Sequence, residues 1–504
     1  MAPKPAIGVL DLGASGGRVY AAVLEEGGLC LHEIHRFTHA PQRYWQRPGE
    51  KGSPICRSCW DFPGIYEGLL EGLRRIARRG DLELLSLGVD TGGSDGTWLN
   101  TAGDMLGLIG TGRDRRWREA REEILQQVSE EELFHLTGVR SDPFCVLNQL
   151  YWYAHHQPAL VAAAATYMPI NSLLYYFLCG ERVAEYTWMS TTQLTRPGQA
   201  CYHTELFARL QLPLDKMPPL VRPGTHLGQS HAELAADLGL EPFAVIVPAT
   251  HDTASAYAAA PVEPGHKPIL ISSGTWTLVG MEQPAPLLTE AVLRAGLTNI
   301  AGCESTYLQA IIMGSWPAQQ LKHLWSLWDQ REVTWETFGD LAASAPAFKT
   351  VLDIDAPLFY APEDMEQAIS QFCRQTGQEP PATRGEMARA VYEGLALSVA
   401  LACERMQQVT CERADSILIV GGGTRNRLLN QWIADATGLP VFAGAENATA
   451  LGNAIIQALA LGWVGSLTEG RRVSGSRSVA AYTPRIDGAW ERAKEQIREW
   501  RAHE

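Results

Sequence analysis

The chain has 504 residues, 46% hydrophobic and 19% charged, a globular composition that excludes disordered, collagen-like and coiled-coil classes. At about 150 residues per domain, this length exceeds one hydrophobic core and predicts two large domains. With 42 Lys+Arg against 56 Asp+Glu the formal charge is −14, so nucleic acid and anionic membrane are poor partners, and any polyanion must be gripped locally by a few side chains and backbone amides.

The first residues, Met1-Ala-Pro-Lys-Pro5, lead directly into a short apolar stretch and Asp11, without the long apolar segment and cleavage site of a secretory signal. No run of about 18 apolar residues is available to span a bilayer. Ten cysteines are scattered rather than framed, which predicts a reduced, cytoplasmic protein. Cys56 and Cys59 are open to a half zinc site or a redox pair. No second Cys-x-x-Cys or spaced His pair completes a set, which favours two ordinary thiols in a loop.

In chain order, Ala6–Leu10, Arg18–Leu24 and Leu29–Phe37 read as three consecutive strands. A helix follows with Ile65, Leu69, Leu73 and Ile76 on one face and a basic end at Arg74–Arg79. Leu84–Val89 is a buried strand that runs into the polar, Gly-rich segment Asp90–Gly96. Strand–strand–strand–helix–strand describes a mixed sheet rather than a pure βαβ series. The region from about 115 to 240 is helical and loop-rich, and near 243 the pattern restarts. Phe243–Val247 is a strand entering His251-Asp252-Thr253, Ile269–Ile271 and Leu278–Met281 flank Ser272–Thr277, and after a helix over 386–408 the strand Ile417–Val420 enters Gly421-Gly-Gly423. A domain boundary is expected at 243, giving domains 1–243 and 244–485 with a tail helix 486–504. The restart is a structural repeat: each half places a hairpin turn of small residues between two strands.

The chemistry concentrates at these turns. Phosphate needs several N–H donors in a small space, which Gly, Ser and Thr permit, so segment 13–18 suits a phosphate grip with Arg18 as its fixed cation, or else is a tight hairpin only. Asp11 at the strand end is placed to hold Mg²⁺ through water. No Gly-Lys-Ser/Thr or Gly-x-Gly-x-x-Gly spacing is present. The second turn adds Thr275 as a donor, and the Gly421–Gly423 run opens a helix with Leu428, Leu429, Trp432 and Ile433 on its apolar face. Asp252, at a helix start, suits either a general base for a substrate hydroxyl or a purely structural N-cap.

These pieces, in this order, resemble the FGGY carbohydrate kinases and, within them, the rhamnulokinase group, over roughly residues 6–463. The residues that carry the resemblance are Asp11-Leu-Gly-Ala-Ser-Gly-Gly-Arg18, Trp60-Asp61, Gly88-Val-Asp-Thr91, Thr191-Thr-Gln-Leu194, His251-Asp-Thr-Ala-Ser-Ala256, Ser272-Ser-Gly-Thr-Trp276, Met313-Gly314, Gly421-Gly-Gly423 and Ala448-Thr-Ala-Leu-Gly-Asn453. The resemblance implies an α/β, two-domain actin-like ATPase (ribonuclease H-like) fold with a cleft between domains. It implies transfer of a phosphoryl group from ATP, with Mg²⁺, to a ketose hydroxyl, best matched by L-rhamnulose; L-fuculose, L-xylulose, L-ribulose or a polyol are the alternative acceptors, and a non-catalytic sensor on the same fold is a further reading. Sugar and ATP are then the partners, in a monomer or homodimer.

By matching positions, Asp252 is the implied general base and Asp11 the Mg²⁺-side acid. Ala14, Ser15, Gly16, Gly17, Arg18, Thr275, Gln319 and Gly422 are implied to touch the nucleotide, and Gly93, Asp95, His251, Asp252 and Thr253 to border the sugar. The chain departs from the rhamnulokinase pattern at Gly92 and Ser94, where the group has Trp and Val, and at Ile311, where it offers an Asn; the segment 46–59 is an insertion. An apolar group in place of an amide penalises a sugar hydroxyl there, because an unpaired polar group is costly.

Overall fold

Three apolar runs separated by two tight turns become an antiparallel meander in the computed structural model, which describes residues 2–25, 28–47, 53–92, 95–263, 265–360, 362–474 and 480–502. The strands β1 (Lys4–Gly13), β2 (Gly16–Glu25) and β3 (Gly28–Thr38) pair in sequence, and β4 (Leu82–Thr91) lies parallel to β1 on its other side. Next come β6 (Ala244–Val247), parallel to β4, and the edge strand β5 (Thr225–Gln229), antiparallel to β6; the order is β5-β6-β4-β1-β2-β3. The helix Phe62–Arg78 begins at Asp61, whose carboxylate accepts from the Gly64 amide, and has a proline in its first turn. Its predicted stripe of Ile65, Leu69, Leu73 and Ile76 is fully buried in one core with Leu10, Val19, Leu87 and Val89 of the sheet. At about 1.5–3 kcal/mol per buried side chain, that stripe is the main reason the helix lies there. The helical middle builds a second core around Trp98, Trp117 and Trp188.

The chain divides into two compact units, but not into consecutive halves. The first comprises 1–259, 283–308 and 448–476, the second 260–282, 309–447 and 477–504. The boundary expected at 243 therefore falls inside the first unit, which also contains the helix Asp252–Ala258. The physical cause is the helix Ala448–Ala460, which packs on β1, β4 and Asp252–Ala258. Its Gln457 donates to the Gly8 carbonyl and to Asn453 Oδ1, and accepts from the Ser86 hydroxyl; no pairwise pattern in the sequence signals bonds across more than 360 positions.

The second unit repeats the plan. Strands β7 (Pro268–Ser273), β8 (Trp276–Gln283), β9 (Thr306–Met313), β10 (Ser416–Val420), β11 (Val441–Ala443) and β12 (Ala480–Tyr482) follow the order β12-β11-β10-β7-β8-β9, with β7 and β8 antiparallel, β10 parallel to β7, and an antiparallel edge strand β12. Apart from a seventh strand, Thr298–Ala301, at the edge beyond β9, this is the strand order of the first unit. The helix Arg384–Thr410, 27 residues long, covers the helix expected over 386–408 and is buried along most of its middle. The C-terminal helix Gly488–Ala502 is no free tail: Arg501 clamps Asp353 at 2.6 Å, and Lys494 and Arg498 both reach Glu404 at 2.5 Å. Among the described residues no helix is long and apolar enough to cross a membrane.

The contact between the helices Ala448–Ala460 and Asp252–Ala258 admits no side chain at Gly452, where a Cβ would lie 1.8 Å from the Ser255 carbonyl oxygen. Because the obstacle is backbone, Gly452→Ala is expected to destabilise the protein by about 3 kcal/mol, the upper part of the range for overpacking. Chemical denaturation checks this; an unchanged midpoint contradicts it.

Candidate active site

The turn between β1 and β2 is as tight as its residues allow. Gly13 pairs with Gly16, leaving Ala14 and Ser15 exposed at the tip. Gly16 and Gly17 are required by what lies over them: a Cβ on Gly16 would meet the Phe37 carbonyl oxygen at 2.5 Å, and one on Gly17 the Phe37 ring at 2.3 Å. His39 ties the turn down from the other side, its Nε2 2.9 Å from the Gly13 carbonyl and its amide donating to that of Ser15. Arg18 faces Asp11 across the hairpin and donates to the Tyr20 hydroxyl at 3.3 Å.

Asp11 and Asp90 are register neighbours on the parallel strands β1 and β4. Burial pushes Asp11 up to about 6, with Arg18 opposing and Asp252 adding to the rise. Asp90 is fully buried and raised well above the usual carboxylate range, by burial first and then by the Asp11 charge. Its Oδ2 accepts from Asn453 Nδ2 at 2.6 Å, while its buried Oδ1 has no hydrogen-bond partner. Two adjacent carboxylates with an orphaned oxygen suit a divalent cation. Among the described residues no group of three or more His, Cys, Asp or Glu is clustered to hold a metal, so such an ion would keep several waters, as Mg²⁺ does. Cys56 and Cys59 sit on a strand of the hairpin Gln42–Gln46 with Ile55–Cys59, not in a loop; Cys56 is exposed and Cys59 buried.

His251 and Asp252 reach the same place. Thr91 at the end of β4 bridges to His251, the Thr91 amide donates to the Thr250 carbonyl, and the Gly92 amide to that of Leu12. The N-cap of the helix Asp252–Ala258 is His251, without a side-chain capping bond; Asp252 is the first helical residue, so the capping role does not explain it. Asp252 Oδ1 accepts from the Thr253 amide and hydroxyl, and Oδ2 is turned toward Gly92, where a Cβ would lie 2.8 Å away. The His251 ring, 3.7 Å from Asp252 Oδ1, is held below its ordinary pKa by burial, and its buried Nδ1 has no partner. Asp11, Asp90, His251, Asp252 and Thr253 thus gather at the carboxyl ends of the parallel strands, a common ligand position in α/β sheets.

Asp95, expected at the sugar, has both carboxylate oxygens engaged: Trp60 Nε1 at 2.7 Å and the Gly112 amide at 3.1 Å on Oδ2, Gln149 Nε2 at 2.7 Å on Oδ1. It is only 3% exposed and ties together Trp60, Gly112 and Gln149. Gly93 and Ser94 lie outside the described residues.

In the second unit, Gln319 bonds Thr275, and Gly422 is flanked by Gly421 and Gly423, both packed on Ser273. Ser315 holds the β7–β8 turn, its amide and hydroxyl both donating to the Gly274 carbonyl, and Gln319 Nε2 donates to Ser315 Oγ at 2.8 Å and Thr275 Oγ1 at 3.5 Å. Gly421, with φ +86°, turns the chain into a short 3₁₀ stretch, Gly422–Arg425, before the helix Arg427–Thr437 predicted there; Gly423 packs so closely on Ser273 that a Cβ would lie 2.2 Å from its hydroxyl. Gly422 itself is exposed, with open space where a side chain would be. Beside Gln319 a surface groove of about 500 Å³ is lined by Lys322, His323 and Trp335. Ile311 is half-buried on β9.

Sequence reasoning missed His39, Asn453, Gln457 and Glu185 as supports of the site. The signal for two of them is legible afterwards: Asn453 and Gln457 are polar residues four apart in the otherwise apolar Ala448–Ala460.

Asp95 supplies a pH test. Burial, opposed by the Trp60, Gln149 and Gly112 hydrogen bonds, pushes it from 3.8 up to about 6. The folded state therefore holds a proton that the unfolded chain releases, and stability falls as pH rises from about 4 to about 6, by up to about 3 kcal/mol. Asp95→Asn removes that slope, so the melting-temperature difference, variant minus wild type, is expected to grow across this interval; a flat difference contradicts it.

Comparison with known proteins agrees with the geometry. The N-terminal domain of the FGGY family of carbohydrate kinases matches residues 7–258, and the C-terminal domain of that family matches residues 269–461. The chain is 34% identical over 470 residues to a rhamnulokinase of Oceanobacillus iheyensis, covering 92% of this chain and 95% of that protein. It is also 34% identical over 486 residues to a rhamnulokinase of Bacteroides thetaiotaomicron, covering 96% and 97%. Among solved structures, a xylulose kinase from Lactobacillus acidophilus shares the fold with a TM-score of 0.80 at 16% identity, over 99% of this chain and 98% of that one. A gluconate kinase from the same organism does so with a TM-score of 0.79 at 15% identity, over the same shares. The chain belongs to the FGGY family of carbohydrate kinases, phosphotransferases that act on a sugar hydroxyl.

Proposed function

We propose that this kinase phosphorylates L-rhamnulose at its 1-hydroxyl, with ATP as donor and Mg²⁺ as the accompanying ion. The relatives named rhamnulokinase, 32–34% identical along nearly the whole chain, support the acceptor. The observation that carries the chemistry is the placement of Asp252: a carboxylate at a helix start, steadied on one oxygen by Thr253 and with the other lying against Gly92. That oxygen takes the proton from the acceptor hydroxyl as it attacks phosphorus. The neutral His251 ring, with its unpartnered Nδ1, orients a second hydroxyl.

Asp11 and Asp90 would hold the magnesium ion, which when bound offsets charge on the transferring phosphoryl group. Arg18 and the turn Ala14–Gly17 supply fixed positive charge and backbone amides to phosphate oxygens. Thr275, Gln319 and Gly422 hold the nucleotide on the second unit, the exposed Gly422 letting a flat group approach the backbone. Positioning and electrostatics, rather than covalent catalysis, account for the acceleration.

A second acceptor has its own support: Gly92 and Ile311 stand where the rhamnulokinase group carries Trp and an Asn, and at Gly92 the Asp252 carboxylate already lies where a side chain would begin. ADP release measured over L-rhamnulose, L-fuculose, L-xylulose and L-ribulose decides between them. L-Rhamnulose is expected to give the highest kcat/KM by at least about tenfold, and chelation of magnesium to abolish turnover. A higher value for another ketose overturns the acceptor assignment, and sugar binding without ADP release from any of them overturns the kinase assignment.

A further inference from the structure

Glu185 lies outside the segments that carry the family resemblance, yet it is only 2% exposed and its carboxylate serves a loop that ends at the proposed base. Its Oε1 accepts from the Thr187 amide at 2.6 Å. Its Oε2 takes the Thr187 hydroxyl at 2.5 Å, the Trp188 amide at 3.3 Å, and the Thr250 amide and hydroxyl at 3.0 and 2.9 Å. Bonds to Thr187 and Trp188 are what an N-cap of the short helix Tyr186–Met189 requires. Bonds to Thr250 are not, and they reach 65 residues along the chain.

The remaining groups of the loop are tied into the same cluster. The His251 amide lies 3.4 Å from Thr187 Oγ1, Thr250 Oγ1 accepts from Asn171 Nδ2 at 2.7 Å, and the Thr250 carbonyl accepts from the Thr91 amide at 2.9 Å. The backbone entering Asp252 is thus fixed on one side by the end of β4 and on the other by a single buried carboxylate. We infer that Glu185 is a positioning residue for the phosphoryl transfer, holding Thr250 and His251 so that the Asp252 carboxylate meets the acceptor hydroxyl. A carboxylate is the side chain this cluster needs: five donors converge on two oxygens, and an amide would turn one NH₂ against them. A displacement of about 1 Å at the reacting group is enough to lower turnover about a hundredfold.

The inference rests on the kinase reading, and the experiment separates the two. Glu185→Gln is compared with wild type in the full-length protein by ADP release, with kcat normalised to nucleotide-binding stoichiometry, and by hydrogen–deuterium exchange of peptides covering 248–254. The expected result is a kcat per nucleotide site reduced about 30-fold or more, a KM for ATP within about twofold, and faster exchange confined to 248–254 and 185–188. Should this variant fail to fold, Thr250→Val, which deletes one of the five donors, is expected to lower kcat about three- to tenfold with the same local exchange change. A normalised kcat within twofold of wild type together with unchanged exchange at 248–254 overturns the inference. If wild type turns over no acceptor, the kinase reading falls, while exchange alone still decides whether Glu185 holds the loop.

Discussion

Asp11, partly buried, and Asp90, fully buried, stand side by side on parallel strands, and the surrounding bonds serve to tolerate them. Burying a carboxylate is expensive unless hydrogen bonds or charge compensate. Here part of the compensation comes from a helix formed more than 350 residues later. Ser86 donates to Gln457, Gln457 to Asn453 and to the Gly8 carbonyl, and Asn453 to Asp90, so a line of side-chain bonds runs across the sheet and ends on the carboxylate. Gly88 makes this possible, since a Cβ there would lie 2.6 Å from Gln457 Nε2 and 2.7 Å from Asn453 Oδ1. A polar ladder in a dry place is satisfied along its length or costs more than an apolar contact. The one oxygen it leaves unpaired, Asp90 Oδ1, is where a cation would finish it.

The same helix positions the proposed base. With Gln457 and Asn453 anchored on the sheet, Gly452 is pressed against the backbone of Ser255, which fixes the helix that begins at Asp252. From the opposite direction Glu185 and Thr91 hold the residues just before it. Asp252 is therefore constrained by backbone contacts on both sides while its carboxylate is still about one-third exposed, which is what a proton acceptor needs. The two sheets share the order of six strands, and each places a small-residue turn between its first two strands. Each turn is closed by an element laid over it, β3 with His39 in the first unit and Gly314-Ser315 in the second, so that backbone amides are presented without flexible side chains in the way.

What the sequence made legible is local. Alternation and apolar runs located β1–β4, β7, β8 and β10 to within a few residues, and the stripe Ile65–Ile76 located its helix, because each is a period set by neighbours in the chain. The small-residue turns were legible because only glycine fits where a Cβ would meet Phe37 or Ser273. The assignment of chain to units was not, since it depends on Asn453 and Gln457 finding Gly8 and Asp90 across the whole sequence. Asp95 shows the same limit: its place in the Gly-rich loop is legible, but its bonds to Trp60, Gly112 and Gln149 come from residues scattered along the chain. Glu185 gave no signal beyond an acidic residue before a Thr, the mark of an ordinary helix start.

The account stands on Asp252 as the proton acceptor. Replacing Asp252 with Asn keeps the shape and the Thr253 contact while removing basicity, and turnover of the accepted ketose, measured with acceptor affinity by calorimetry, tests it directly. The account predicts a fall in kcat of about 10²–10⁴-fold with acceptor affinity within about threefold of wild type. A folded variant that retains near-normal turnover would contradict it.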